Sequence, residues 1–172
     1  FAGIDVFDIE VGTKDIEEFI QTVKNIAPTF GGINLEDIKA PESFEIERRL
    51  VEELDIPVMH DDQHGTAIIS SAALLNAVEL AGKKTEDLKM VVSGAGSAAL
   101  ACANMYVLLG LKVENILMFN SKGVLTKDNT SLSEMQLKYA TDKKPMSLEE
   151  ALVGADIFLG LSSGDIMTPK ML

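Results

Sequence analysis

One cysteine, two histidines and no tryptophan stand in 172 residues, and each scarcity narrows the field. Cys102, alone and set in an apolar run, excludes an internal disulfide and fits a buried thiol in a reducing, cytoplasmic compartment. Positive charge is short as well. Fifteen bases against 27 acids leave a net charge of -12, which repels nucleic acid and anionic membranes alike. No uninterrupted apolar run is long enough for a membrane span. The longest stretch, 66–82, is broken by Ser70, Ser71, Asn76 and Glu79 and reads as a buried helix. No secretory leader is expected at the start, and both ends are expected to be cut, since Thr168-Pro169 announces a new helix just before Leu172. What remains, 47% apolar residues, suffices for one ordinary domain or parts of two.

Strand-like and helix-like periodicities alternate along the chain, the pattern of an α/β fold with a parallel sheet and crossover helices. Strands are expected over 4–11, at 58–59, and over 90–92, 116–119 and 157–161, with a further short run at 31–35. Helices are expected over 14–26, from Pro41 to about Leu54, and over 65–80, 97–109 and 148–153, with another ending near Ala140. Residues 82–88 read as a linker.

Two features carry chemistry. The first is Gly94-Ala95-Gly96-Ser97-Ala98-Ala99, a glycine-rich turn between a strand and a helix. A dinucleotide pyrophosphate needs a tight turn, a backbone it can approach, and a helix N-terminus aimed at its charge. Gly94 and Gly96 meet the first two needs, and Ala99 stands where a third small residue packs helix on strand. The turn alone is a weak motif, and its strand-to-helix setting raises it. At the end of the next strand, Asn120-Ser121-Lys122 replaces the acid that would bind the ribose 2'-hydroxyl of NAD. That tilts the choice toward NADP, unless Lys122 is only a solvated turn lysine.

The second feature is two acidic pairs, Glu36-Asp37 and Asp61-Asp62, each after a short strand or turn. Glu36, Asp37 and Asp62 offer the oxygen ligands that Mg²⁺ or Mn²⁺ require; the competing reading makes Glu36-Asp37 a cap for the helix near Pro41. His60 and His64, four apart, do not read as a zinc pair. Pro57 and Gly65 suggest a strand-to-helix corner between them, with His60 packed at the strand end and His64 capping the helix.

Phe30-Gly31-Gly32-Ile33-Asn34-Leu35-Glu36-Asp37-Ile38, Phe44-Glu45-Ile46-Glu47, the His60 to Ala67 run and Gly94-Ala95-Gly96 occur in the order found in malic enzymes. The chain resembles that family, particularly its bacterial type, over essentially its whole length. The resemblance implies part of a metal-binding N-terminal domain over residues 1–60. Over 61–172 it implies a truncated, Rossmann-like, doubly wound NAD(P)-binding domain. It implies oxidation of L-malate with NADP or NAD and release of carbon dioxide to leave pyruvate, with Mg²⁺ or Mn²⁺ held by Glu36, Asp37 and Asp62. Asp61 would orient groups beside the metal. Ala95 to Ala98 would hold the pyrophosphate, and Ser162-Ser163-Gly164 would pass near the cofactor. A homodimer or larger assembly is implied too. The family's tyrosine and lysine acid and base fall outside this chain, and Tyr106 and Tyr139 stand in the wrong context to replace them, so the chain alone is expected to be inactive. Two other readings stay open: a metal-independent NAD(P) dehydrogenase of another hydroxy- or amino-acid family, and a non-catalytic nucleotide-sensing module.

Overall fold

The structure, a computed structural model, describes residues 3–171. The chain divides into two compact units, Phe1–His60 and Asp61–Leu172.

In the first unit, α1 (Ile16–Ile26) begins where Asp15 Oδ1 accepts the Glu18 N–H at 2.9 Å. Glu17 and Glu18 lie in its first turn and Lys24 in its last, each placed favourably for the helix dipole. Pro28 then forces a short 3₁₀ turn before β1 (Ile33–Leu35). After α2 (Glu42–Glu53), β2 (Val58–His60) returns parallel to β1, with Ile33 opposite Val58 and Leu35 opposite His60. Ile20, Val23, Leu35, Ile46 and Leu50 form the core between the two helices and this ribbon. Residues 4–11, expected as a strand, form none. Their alternating apolar residues suit a strand, but no strand among the described residues pairs with them, and Ile4, Val6 and Phe7 stay exposed.

The second unit opens with α3 (Asp61–Ala81), four residues earlier than the sequence suggests. Glycine disfavours a helix interior by about 1 kcal/mol and so reads as a boundary. Here Gly65 sits inside the first turns because the Asp61 carboxylate lies where a Cβ would be. His64 is therefore within α3 and does not cap it. The sheet follows: β3 (Met90–Ser93), α4 (Ser97–Leu108), β4 (Ile116–Asn120), β5 (Gly123–Val124), α5 (Glu134–Leu137), α6 (Leu148–Leu152) and β6 (Ile157–Gly160). Strand order is β5-β4-β3-β6, with β3 parallel to both β4 and β6 and β5 antiparallel at the edge.

Alternation along the central strands covers both faces of this sheet. Met90, Val92, Ile116, Met118, Ile157 and Leu159 pack with α3 and α4, while Val91, Leu117, Phe119 and Phe158 pack with Ala151 and Leu152 of α6. That is the doubly wound, Rossmann-like arrangement expected from the sequence. The apolar α4, rich in alanine, suits a helix buried against both α3 and the sheet.

The opposite end of β3 is tied by Asp156. Its Oδ2 accepts the Lys89 N–H at 2.8 Å, its own N–H donates to the Lys89 carbonyl at 2.8 Å, and its Oδ1 meets the Lys83 ammonium. The Lys83 ammonium, then the Lys89 N–H, hold its carboxyl below the ordinary value of 3.8. A carboxyl depressed in the folded state contributes stability above its unfolded pKa and loses it as pH falls through the folded one. Asp156→Asn is expected to lower the urea midpoint at neutral pH, and the deficit should shrink once the pH drops below that ordinary value. A deficit independent of pH would contradict the tie.

Candidate functional site

The chain leaves β3 through Gly94-Ala95-Gly96, with β4 on one side and β6 on the other. The direction of strand addition reverses here, and in open α/β sheets ligands bind in the crevice this leaves beyond the strands' carboxyl ends. The three strand ends are stitched together. Gly94 N–H donates to the Phe119 carbonyl at 2.8 Å, Leu161 N–H donates to the Ser93 carbonyl at 2.8 Å, and the Ser93 and Ser162 hydroxyls lie 2.9 Å apart. Only glycine suits position 94: its φ is 127°, and a Cβ there would sit 2.5 Å from the Leu161 carbonyl oxygen. Gly96 is exposed and caps α4 in an extended conformation, φ -87° and ψ -172°, and a Cβ on it would meet nothing within 4 Å. The helix ladder starts with the Leu100 N–H to the Gly96 carbonyl at 3.0 Å, so the N–H groups of Ser97, Ala98 and Ala99 precede it, facing the helix N-terminus.

A cleft of about 230 Å³ lies beside the turn, lined among others by Ser93, Phe158, Gly160, Ser162 and Ser163. Ser162 and Ser163 thus line this cleft. Ser93 and Phe158 escape sequence reading because each looks like a residue of a buried strand; only the register of β3 with β6 brings them to one opening.

Asn120, Ser121 and Lys122 form the tight connection from β4 to β5. Asn120 Oδ1 accepts the Lys122 N–H at 2.8 Å, Asn120 pairs with Gly123, and Gly123 takes φ 123°. Asn120 therefore has a local reason to be there, independent of any cofactor, while Ser121 and Lys122 are exposed.

The acidic pairs lie in different units. In the first, Glu36 and Asp37 follow β1 and are exposed; Asn34 Nδ2 donates to Glu36 Oε1 at 3.0 Å, and Asp37 holds a left-handed φ of 57°. In the second, Asp61 and Asp62 open α3, where the helix dipole favours carboxylates; Asp61 folds back over Gly65 and Asp62 is exposed. Within either unit, the described residues gather no group of three or more His, Cys, Asp or Glu side chains fit to hold a metal. The donors are nevertheless all carboxylates, the chemistry Mg²⁺ and Mn²⁺ favour, and the space kept for the Asp61 carboxylate by Gly65 is a built feature. His60, at the end of β2, is buried, and its N–H donates to Glu47 Oε1 at 2.8 Å.

The two tyrosines are packing residues. Burial pushes the Tyr139 phenol up to about 12 and raises that of Tyr106; the Tyr139 hydroxyl donates to Asn104 Oδ1 at 2.6 Å. Burial raises the Cys102 thiol too. None of the three is poised to exchange a proton near neutrality.

Residues 63–168 match the model of the malic enzyme NAD binding domain, and residues 7–51 that of the malic enzyme N-terminal domain. The chain belongs to the malic enzyme family. It is 51% identical to the NAD-dependent malic enzyme of Rhizobium meliloti (strain 1021), covering 100% of this chain and 22% of that protein. To the NADP-dependent malic enzyme of Salmonella typhimurium it is 53% identical, covering 100% and 23%. The crystal structure of the NAD-dependent malic enzyme from Thermotoga maritima superposes with a TM-score of 0.91 at 43% identity, covering 99% of this chain and 46% of that one. The chain thus spans under a quarter of the length of these two curated relatives. Its similarity to NAD- and NADP-named proteins is nearly equal, so cofactor choice has to be argued from residues. No helix among the described residues is long and apolar enough to cross a membrane.

Proposed function

We propose that this chain contributes the dinucleotide loop and the divalent-ion carboxylates of an enzyme that oxidises L-malate with NAD(P) and decarboxylates the product to pyruvate. The observation that carries the reading is the Gly94 turn at the reversal point of the sheet, opening on the cleft by Ser93 and Ser162. The N–H groups of Gly96, Ser97 and Ala98 bind the pyrophosphate, and Ser162 and Ser163 border the cofactor. Glu36, Asp37 and Asp62 hold Mg²⁺ or Mn²⁺, and Asp61 orients their surroundings. An ion held by these carboxylates would supply Lewis-acid polarisation of the substrate's C2 oxygen and stabilisation of the negative charge left by decarboxylation. NAD(P) held at the turn would supply the hydride acceptor for C2. The groups that move the hydroxyl proton come from outside this chain, so the chain alone turns over no malate. A cytoplasmic location fits the single, buried thiol, and assembly into a homodimer or larger oligomer would cover exposed apolar side chains of α3 such as Ile68 and Ile69. Metal-stripped intact protein should not oxidise malate and should recover on addition of Mn²⁺; full turnover without a divalent ion would refute the reading and favour a metal-independent dehydrogenase.

NADP is the preferred cofactor in this reading, because Lys122 is exposed on the β4–β5 turn and no carboxylate occupies 120–122 to repel a 2'-phosphate. Lys122→Ala in the intact protein should raise the Kd for NADP about tenfold while leaving that for NAD nearly unchanged. Equal losses for both would make Lys122 a turn residue only.

A further inference from the structure

The short helix α5 lies 41 residues along the chain from the glycine turn, yet one side chain joins them: Gln136 Nε2 donates to the Ala95 carbonyl at 2.9 Å. The amide's orientation is not arbitrary. Gln136 is the third residue of α5 and closes its capping box, its Oε1 accepting the Ser133 N–H at 3.1 Å while its own N–H donates to Ser133 Oγ at 3.3 Å. With Oε1 committed to Ser133, the NH₂ end has to face Ala95. The Ala95 carbonyl and the Gly96 N–H share one trans peptide plane and point in opposite directions, so fixing the first fixes the second.

We propose that Gln136 is a positioning residue for the pyrophosphate loop: by holding the Ala95 carbonyl toward α5, it keeps the Gly96 N–H and the start of α4 aimed at the cofactor's diphosphate. Gly96 is where such a constraint matters. It is exposed, it has no side chain to restrict it, and around its Cβ position there is open space. A free Ala95–Gly96 peptide could rotate and turn a carbonyl oxygen toward the anion. The tie removes that state before binding and so lowers the ordering cost.

This inference rests on the reading that the turn holds a dinucleotide, and the test separates the two. In the intact protein, Kd is measured for ADP, NAD(P) and adenosine in three variants. Gln136→Glu keeps the capping box and loses the donor. Gln136→Met loses the donor without adding charge. Ser133→Ala weakens the cap and leaves the tie. Both Gln136 variants should bind ADP and NAD(P) about five- to thirtyfold more weakly with adenosine affinity unchanged, whereas Ser133→Ala should lower the thermal midpoint and leave all three affinities alone. Normal ADP affinity in Gln136→Met, an equal loss for adenosine, or the same ADP loss in Ser133→Ala would overturn the positioning role. If the unsubstituted protein binds neither ADP nor NAD(P), the dinucleotide reading itself fails, and this role with it.

Discussion

Gly94→Ala is expected to destabilise the intact protein by roughly 3 kcal/mol or more and to abolish measurable NAD(P) binding. Two costs combine. A φ of 127° is a conformation an L residue adopts only under strain, and the new Cβ would meet the Leu161 carbonyl oxygen at 2.5 Å. Neither group can step aside cheaply, because Gly94 N–H is bonded to Phe119 and Leu161 N–H to Ser93. Relief requires prising β6 from β3, which also opens the cleft at Ser93 and Ser162. Gly96→Ala is the informative contrast. Its φ is ordinary and its Cβ meets nothing within 4 Å, so folding should be untouched, while cofactor affinity should fall because the pyrophosphate needs that space. Urea unfolding and NAD(P)H fluorescence titration measure both; a Gly94→Ala variant with normal midpoint and affinity would contradict the account.

Asp62→Ala in the intact protein should lower metal-dependent malate turnover by about 10³-fold or more, since the bound ion is asked for several kcal/mol of charge stabilisation. Stability should move far less. Losing Asp62 relieves its repulsion with Asp61 but forfeits its favourable place at the start of α3, and these effects oppose each other. Mn²⁺ affinity, followed by the ion's paramagnetic signal, should fall in parallel with turnover. A variant that keeps normal Mn²⁺ binding and normal turnover would remove Asp62 from the ligand set.

The second unit was the more legible in sequence, and for a physical reason. Residues 90–92 are buried on both faces, and 116–119 and 157–161 pack apolar side chains on both, so each reads as a short apolar run between turn signals, and the glycine turn announces its own setting. Residues 4–11 misled because alternation reports a surface able to join a sheet, while a strand also needs a partner. Gly65 misled because a glycine in a helix usually marks an end, and nothing in the sequence says that the Asp61 carboxylate needs its space. The sheet-edge strand β5 was too short to show any periodicity. At the site, the candidate carboxylates and the turn were visible as motifs. Ser93, Phe158 and Gln136 were not, since their roles arise from strand register and from a capping box whose second partner is remote in sequence. Ser133 and Gln136 in their S-x-x-Q spacing could have marked the start of α5, though not its contact with Ala95.

The other proposed roles depend on the coupling of malate oxidation to loss of carbon dioxide. Its most direct test is product stoichiometry in the intact protein supplied with L-malate labelled at C4, Mn²⁺ and NAD(P). The account predicts equal yields of NAD(P)H, pyruvate and labelled carbon dioxide; NAD(P)H formed with label-retaining oxaloacetate, and no carbon dioxide, would contradict it.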